Sequence, residues 1–376
     1  MKVSFLLGAG FSYNAGLPLV KDISDKFLRQ PLYDHILWFS SGESKWTDWA
    51  NKAEQHNGKI HWRGLEIAFF LEFVIRHYLN VNGLAELNYE KFYFYLLSLK
   101  TKDRETYEDL LQSAQQQYAE VFKKDDADFL SIPDYEFFSC FYHLIEDLLW
   151  VRSDREELYT AYKPYSDFFM AEDVEINIFT LNHDLLLEML FEHYDIDYSD
   201  GFSTDRSTLV DDNGTKLKVF NGDFQKRLNL LKLHGSIDFY QYRYVREENS
   251  HKGADYFKTL DFHAKHTAND IDENGKVIQN FTPQIIPQFI TGENKLEMIR
   301  NDKMYKLLYS NFKEHLKDCD KLIIVGYSFG DAHINTVLES SLPNIEEVLH
   351  IDPYAIFPFR HDGYKKINPL TEKVQL

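Results

Sequence analysis

Val3-Ser-Phe-Leu-Leu-Gly-Ala-Gly-Phe-Ser-Tyr-Asn-Ala-Gly-Leu-Pro18 is the stretch on which the reading of this chain turns. Val3 to Leu7 has the character of a buried strand, and Gly8-Ala9-Gly10 then turns the backbone sharply into a helix start. A strand, a glycine turn and a helix start together present unpaired backbone amides, which is a phosphate-binding arrangement. It is not the dinucleotide fingerprint G-x-G-x-x-G, because Tyr13 stands where the third glycine belongs. What stands here is G-A-G-x-S-x-x-x-G-L-P, with Gly8, Gly10, Ser12, Gly16 and Pro18.

Three further segments follow in order: Ile178-Phe-Thr-Leu-Asn-His-Asp184, Leu231-Lys-Leu-His-Gly-Ser236 and Leu322-Ile-Ile-Val-Gly-Tyr-Ser328. Each is an apolar strand-like run ending in polar residues, and a fourth such run ends at His350-Ile-Asp352. Taken with the opening motif, these segments resemble the sirtuins. The segment Ile178–Asp184 is similar to the sirtuin T-Q-N-I-D segment, Leu231–Ser236 to the segment with the catalytic His, and Leu322–Ser328 to the G-T-S segment. Tyr327, His183 and Asp352 depart from the sirtuin pattern.

The resemblance implies an α/β fold, a Rossmann-like parallel sheet of sirtuin type, with NAD as substrate. It implies that Asn182 holds a ribose and positions water, that Asp184 holds the carboxamide, and that His234 is the general base. For His234 the expectation is an unperturbed pKa near 6.5. Gly8, Ala9 and Gly10 would give amides to the diphosphate, with Ser12 in the same loop. Gly326, Tyr327 and Ser328 would bind phosphate or ribose, and Asp352 a ribose hydroxyl.

Composition narrows the function classes. The 376 residues carry a net charge of −19, which disfavours direct nucleic-acid binding. Two cysteines, Cys140 and Cys319, make neither a disulfide framework nor a four-thiolate zinc site, so no zinc is expected and a cytoplasmic location is. No apolar run reaches the length of a membrane span, so no membrane is expected.

From about Leu32 to Met170 apolar residues recur at helical spacing, as in Phe137, Phe138, Phe141, Leu144, Ile145, Leu148 and Leu149. The expected organisation is therefore an α/β domain made of residues 1–30 and 171–376, with a helical insertion at 31–170. The many aromatics of the insertion build its core or face a partner. Residues 199–213 read as a loop, and the polar stretch from Phe239 to Asn280, with Arg243, Arg246, His251, His263 and His266, as a loop or hairpin.

Zinc-bearing sirtuins place their metal ribbon in that stretch, which has no Cys here. The resemblance is closest to zinc-free sirtuin-like effectors of bacterial antiphage defence. It implies NAD hydrolysis, a homo-oligomer formed through the insertion, and control by a second protein such as a HerA-type ATPase or a short Argonaute. Alternatives are an NAD or ADP-ribose sensor without turnover, an NAD-dependent deacylase, and a serine esterase. The last rests on Gly326-Tyr-Ser-Phe-Gly330, which matches G-x-S-x-G, with Asp352 and His361 as partners.

Overall fold

The computed structural model describes residues 1–29, 35–37, 46–48, 62–122, 128–151, 155–205, 207–244, 255–261, 264, 268–283, 287–290, 295–374 and 376. The chain divides into two units. One is Met1–Leu17, Leu149–Ile290 and Lys295–Leu376; the other is Pro18–Leu148 with Thr291–Asn294.

The first unit is built on six strands: β1 (Lys2–Leu7), β2 (Glu175–Thr180), β3 (Leu228–Lys232), β4 (Lys321–Val325), β5 (Glu347–Ile351) and β6 (Tyr364–Ile367). They pair in parallel in the order β6-β5-β4-β1-β2-β3. Parallel strands need both faces covered, which explains their near-continuous apolar runs. Val3, Phe5 and Leu7 of β1 pack with Ile176, Ile178 and Ile323 under Leu158, Tyr162 and Phe169 of the helix Arg155–Phe169 and Leu187 and Leu190 of the helix Leu186–His193. Leu6, Phe179 and Ile324 belong to the opposite core, with Leu308, Phe312 and Leu316 of the helix Lys303–Lys317 and Val337 of the helix Ala332–Ser341. The α/β parallel sheet expected from the sequence is the one observed.

From β1 the chain runs outward through β2 to β3, and from β4 the other way through β5 to β6. Connections leave β1 and β4 in opposite directions, so the crevice beyond their carboxyl ends is the switch point where α/β sheets bind ligands.

The stretch 199–213, expected to be loop, and Phe239–Asn280, expected to be loop or hairpin, both contribute strands to a second, seven-stranded sheet. Its order is Phe202–Ser203, Lys218–Phe220, Asp255–Lys258, Phe239–Tyr244, Val277–Pro283, Asn269–Ile271 and Leu209–Val210, antiparallel throughout. Tyr240 and Phe257 lie in its small core with Leu209 and Leu217. Buried Lys258 links this sheet to carboxylates around it, at 2.8 Å from Asp200, 3.3 Å from Asp238 and 3.4 Å from Glu188. Arg246, His251, His263 and His266 lie outside the described residues.

The second unit contains the helices Val20–Arg29, Trp62–Val81, Tyr89–Lys102, Arg104–Phe122 and Asp134–Leu148. It also has an antiparallel strand pair, His35–Leu37 with Trp46–Asp48. Its aromatics face inward: Phe70 packs at 4.5 Å on Phe137 and 5.8 Å on Tyr107, and Tyr118 at 5.3 Å on both Phe69 and Phe129. The aromatic excess therefore builds a core, and it does not by itself mark an interface.

The boundaries of the insertion differ from expectation. Arg155–Phe169, placed in the insertion from its helical spacing, belongs to the first unit, while Pro18 and the helix after it belong to the second. The pattern of the helix is amphipathic in either case, and only tertiary packing decides which core it serves.

His350 on β5 shows how tightly this fold is closed. It is fully buried, its Nε2 has no partner among the described residues, and burial pushes its pKa down to about 4. The unfolded chain binds that proton below about pH 6.5, whereas the folded chain does not until about pH 4. Stability contributed by neutral His350 is thus full above that window and lost as pH falls through it. Urea titrations at pH 7 and pH 4.5 are expected to show this loss, and His350→Phe to reduce it. An unchanged pH dependence in the variant would rule out His350 as a source.

Candidate active site

Four motifs end on adjacent strands, β4, β1, β2 and β3, so their loops gather at one edge of the sheet. The loop after β1 packs backbone to backbone on the loop after β4. Gly8 N donates to Val325 O at 3.0 Å, and Gly10 N to Gly326 O at 2.9 Å. Gly326 has φ +62°, and a Cβ there would lie 2.2 Å from Phe11 N and 2.3 Å from Gly10 C. Only glycine fits, for space and for backbone conformation alike.

This arrangement redistributes the expected roles of the loop. The Gly8 and Gly10 amides hold the two loops together, while the Ala9 amide has no backbone partner among the described residues. Phe11 is gripped by Tyr162 and Tyr165, edge-on at 5.1 and 5.2 Å, and its carbonyl accepts from the Tyr162 hydroxyl.

Asn182, just past β2, is fixed by that loop. Its Nδ2 donates to Gly8 O at 3.0 Å and to Ser12 Oγ at 2.9 Å. Both amide protons are thereby used, and Oδ1 remains as an acceptor of set direction. The Ser12 hydroxyl also favours the charged form of the Asp184 carboxylate. Asp184 is buried and accepts from Leu186 N at 3.0 Å, at the first residue of the helix Leu186–His193. Burial raises its pKa, with Lys232 as the main opposing charge. The structure thus engages the Asp184 carboxylate with the backbone just after the Asn182 loop.

The β3 loop is tied to the β2 loop. Leu233 N donates to Thr180 O at 2.9 Å, and Ile237 N to His183 O at 3.1 Å. His234 is buried, and its Nε2 lies 3.3 Å from Nε2 of His333, which is also 2.9 Å from the Tyr309 hydroxyl. Burial first, then the charges of Lys295, His183 and His333, lower the His234 pKa well below the ordinary value. The unperturbed pKa expected from the sequence is therefore corrected: the ring is neutral at pH 7 and a weaker base than free imidazole.

The remaining candidates divide. Tyr327 is buried, with its hydroxyl on Asn335 Oδ1 at 3.0 Å and on the Asp331 backbone, so the side chain braces the helix Ala332–Ser341. Ser328 is exposed. Asp352 Oδ1 accepts from Tyr354 N and Ala355 N at 2.7 and 2.6 Å, holding the turn after β5. The esterase triad is not assembled: Asp352 serves that turn, His361 Nε2 meets Ile345 O at 2.9 Å, and no hydrogen bond among the described residues joins either to Ser328.

His333 was missed by sequence reasoning, because it stands 99 positions from His234 in no recognisable spacing. Among the described residues, His234, Asp331 and His333 form a group whose ligand atoms all lie within 4.8 Å of one another.

A family model described as the SIR2-like domain matches residues 176–373, more than half of the chain. The chain belongs to the SIR2-like domain family. The match runs from β2 past β6 and so includes Asn182, Asp184, His234, Ser328 and Asp352, while the Gly8-Ala9-Gly10 loop of this SIR2-like chain lies before it.

No curated protein matches the chain. Solved structures similar to it include one concerning the mechanism and regulation of Sir2 enzymes. There the identity is 10%, covering 94% of this chain and 81% of that chain, with a TM-score of 0.36. Another, on sirtuin substrate affinity, shares 11% identity over 97% of this chain and 86% of that chain, TM-score 0.33. A Sir2 homologue in complex with NAD shares 9% over 97% and 83%, TM-score 0.33. No helix among the described residues is long and apolar enough to cross a membrane.

Proposed function

We propose that this SIR2-like chain hydrolyses NAD to nicotinamide and ADP-ribose. The observation that carries the reading is the clasp on Asn182, whose amide is fixed by Gly8 O and Ser12 Oγ at the carboxyl edge of the sheet. Hydrolysis breaks the bond between nicotinamide and ribose, passes through a sugar cation, and adds water to the same carbon. Asn182 Oδ1 is oriented to accept from a ribose hydroxyl or the attacking water. Neutral His234 takes up the proton that the attacking oxygen loses. Ser12 and Gly8 keep Asn182 in place, and the Ala9 amide is the loop donor left for a diphosphate.

Hydrolysis is favoured over deacylation because the segment from Phe239 to Asn280 has no cysteine with which to build the zinc ribbon of peptide-deacylating sirtuins. In the same reading the protein depletes NAD in antiphage defence, as a homo-oligomer switched by a HerA-type ATPase or a short Argonaute. Those parts rest on the motif resemblance. Nicotinamide release from NAD, followed by chromatography with and without an acylated peptide, tests the reaction. Release without peptide is the expected result, and release only with peptide makes the protein a deacylase.

Ser328 has a lesser part. Ser328→Ala is expected to weaken NAD binding by about 1 kcal/mol, the worth of one neutral hydrogen bond, with turnover retained. Calorimetry measures the first and the nicotinamide assay the second. Abolished turnover together with labelling of Ser328 by a fluorophosphonate would favour the esterase.

A further inference from the structure

Two partners converge on one atom of His333. Its Nε2 offers either one lone pair or one N–H, yet it faces His234 Nε2 at 3.3 Å and the Tyr309 hydroxyl at 2.9 Å. At most one of these contacts is satisfied in full by any tautomer. A cation between the two nitrogens would satisfy both rings at once.

The spacing suits such an ion. Two nitrogens bound at about 2.0–2.1 Å to a tetrahedral zinc-class ion stand about 3.3–3.4 Å apart, which is the separation observed. A carboxylate completes the set: Asp331, two residues before His333, lies with both histidines in the group whose ligand atoms are within 4.8 Å. Asp331 is partly exposed, and its Oδ1 is held at 3.0 Å by Lys295 Nζ, which steadies the carboxylate. Two imidazoles and one carboxylate with a fourth position open form a donor set that suits zinc, cobalt or iron(II) better than magnesium or calcium.

We propose that His234, His333 and Asp331 bind a zinc-class divalent cation, and that the bound ion holds the site inactive. The inhibitory half rests on the function proposed above. An ion on His234 Nε2 occupies the lone pair that the general base needs, so cleavage stops until the metal leaves. The Lys295 ammonium beside Asp331 opposes a second cation, which keeps the affinity in a reversible range.

Cobalt(II) titration of chelator-stripped protein tests the site without any need for NAD. One equivalent with the visible absorption of four-coordinate cobalt is expected. His333→Ala and Asp331→Asn should each weaken binding by at least about tenfold, since even outer-shell changes cost that much. Lys295→Met should tighten it. Circular dichroism establishes that each variant is folded, and His333→Gln serves as the second variant should His333→Ala fail to fold. No cobalt band in the wild type, or equal affinity in folded His333 and Asp331 variants, overturns the site.

Zinc added to the turnover assay is expected to suppress nicotinamide release and a chelator to restore it. Stoichiometric zinc that leaves turnover unchanged overturns the inhibitory half. A chain that never cleaves NAD yet binds cobalt through these residues contradicts the hydrolase reading and leaves the metal site standing.

Discussion

His234→Ala and Asn182→Ala are each expected to lower NAD cleavage by about two to four orders of magnitude while the chain stays folded. The two variants fail for different reasons. Without His234 the attacking oxygen has no neutral imidazole to take its proton. Without Asn182 the oriented Oδ1 is lost, and so are the bonds to Gly8 O and Ser12 Oγ that join the β1 and β2 loops. Asn182→Ala should therefore also cost roughly 1–2 kcal/mol of stability, the sum of two modest hydrogen bonds, and His234→Ala should not share that loss. Rates from the nicotinamide assay and urea midpoints separate the two effects. Full turnover in either variant would remove its assignment.

Gly326→Ala is expected to be among the most damaging single substitutions in the chain. The added Cβ would stand 2.2–2.5 Å from Phe11 N, Gly10 C and Gly10 Cα. Those are backbone atoms in a loop that Tyr162 and Tyr165 already hold, so no flexible side chain can move aside. The φ of +62° adds strain of its own. A loss above about 4 kcal/mol, or failure to fold, follows from overpacking of this kind. Gly330→Ala, four residues on, is the control: its Cβ would meet only Ser328 Oγ at 3.7 Å, and a change within about 0.5 kcal/mol is expected. Equal stability of the two variants in urea titrations would contradict the described packing of the β1 and β4 loops.

The strands of the parallel sheet were readable where they are buried on both faces. Val3–Leu7 is apolar but for Ser4, Ile176–Phe179 but for Asn177, and Leu322–Val325 throughout, and such near-continuous runs belong to parallel strands. β6 was not, because Tyr-Lys-Lys-Ile at the sheet edge exposes Lys365 and Lys366 and carries little apolar signal. The seven-stranded sheet escaped for a related reason: several of its strands have two or three residues, too few for alternation to show. The helix Arg155–Phe169, which contains Pro164, has an amphipathic pattern that fits either unit, and only the packing of Leu158, Tyr162 and Phe169 on the sheet joins it to the first.

At the site, a motif shows which residue types meet at the strand ends but not how each is occupied. Asn182 and His234 came from short runs ending strands, and the structure places both beside the glycine loops or their neighbours. Tyr327 and Asp184 came from runs of the same kind, yet one hydroxyl braces a helix and one carboxylate accepts from the first backbone amide of another. His333 had no motif at all. The low pKa of His234 depends on burial and on Lys295, His183 and His333, none of which a local spacing can predict.

Chromatographic analysis of NAD incubated with the purified chain, over a wide range of protein concentrations and beside Asn182→Ala, tests the central claim most directly. The account predicts nicotinamide and ADP-ribose in equal amounts, formed by the wild type and nearly absent from the variant. NAD that binds in calorimetry but is recovered intact at every concentration would contradict it and make the protein a sensor.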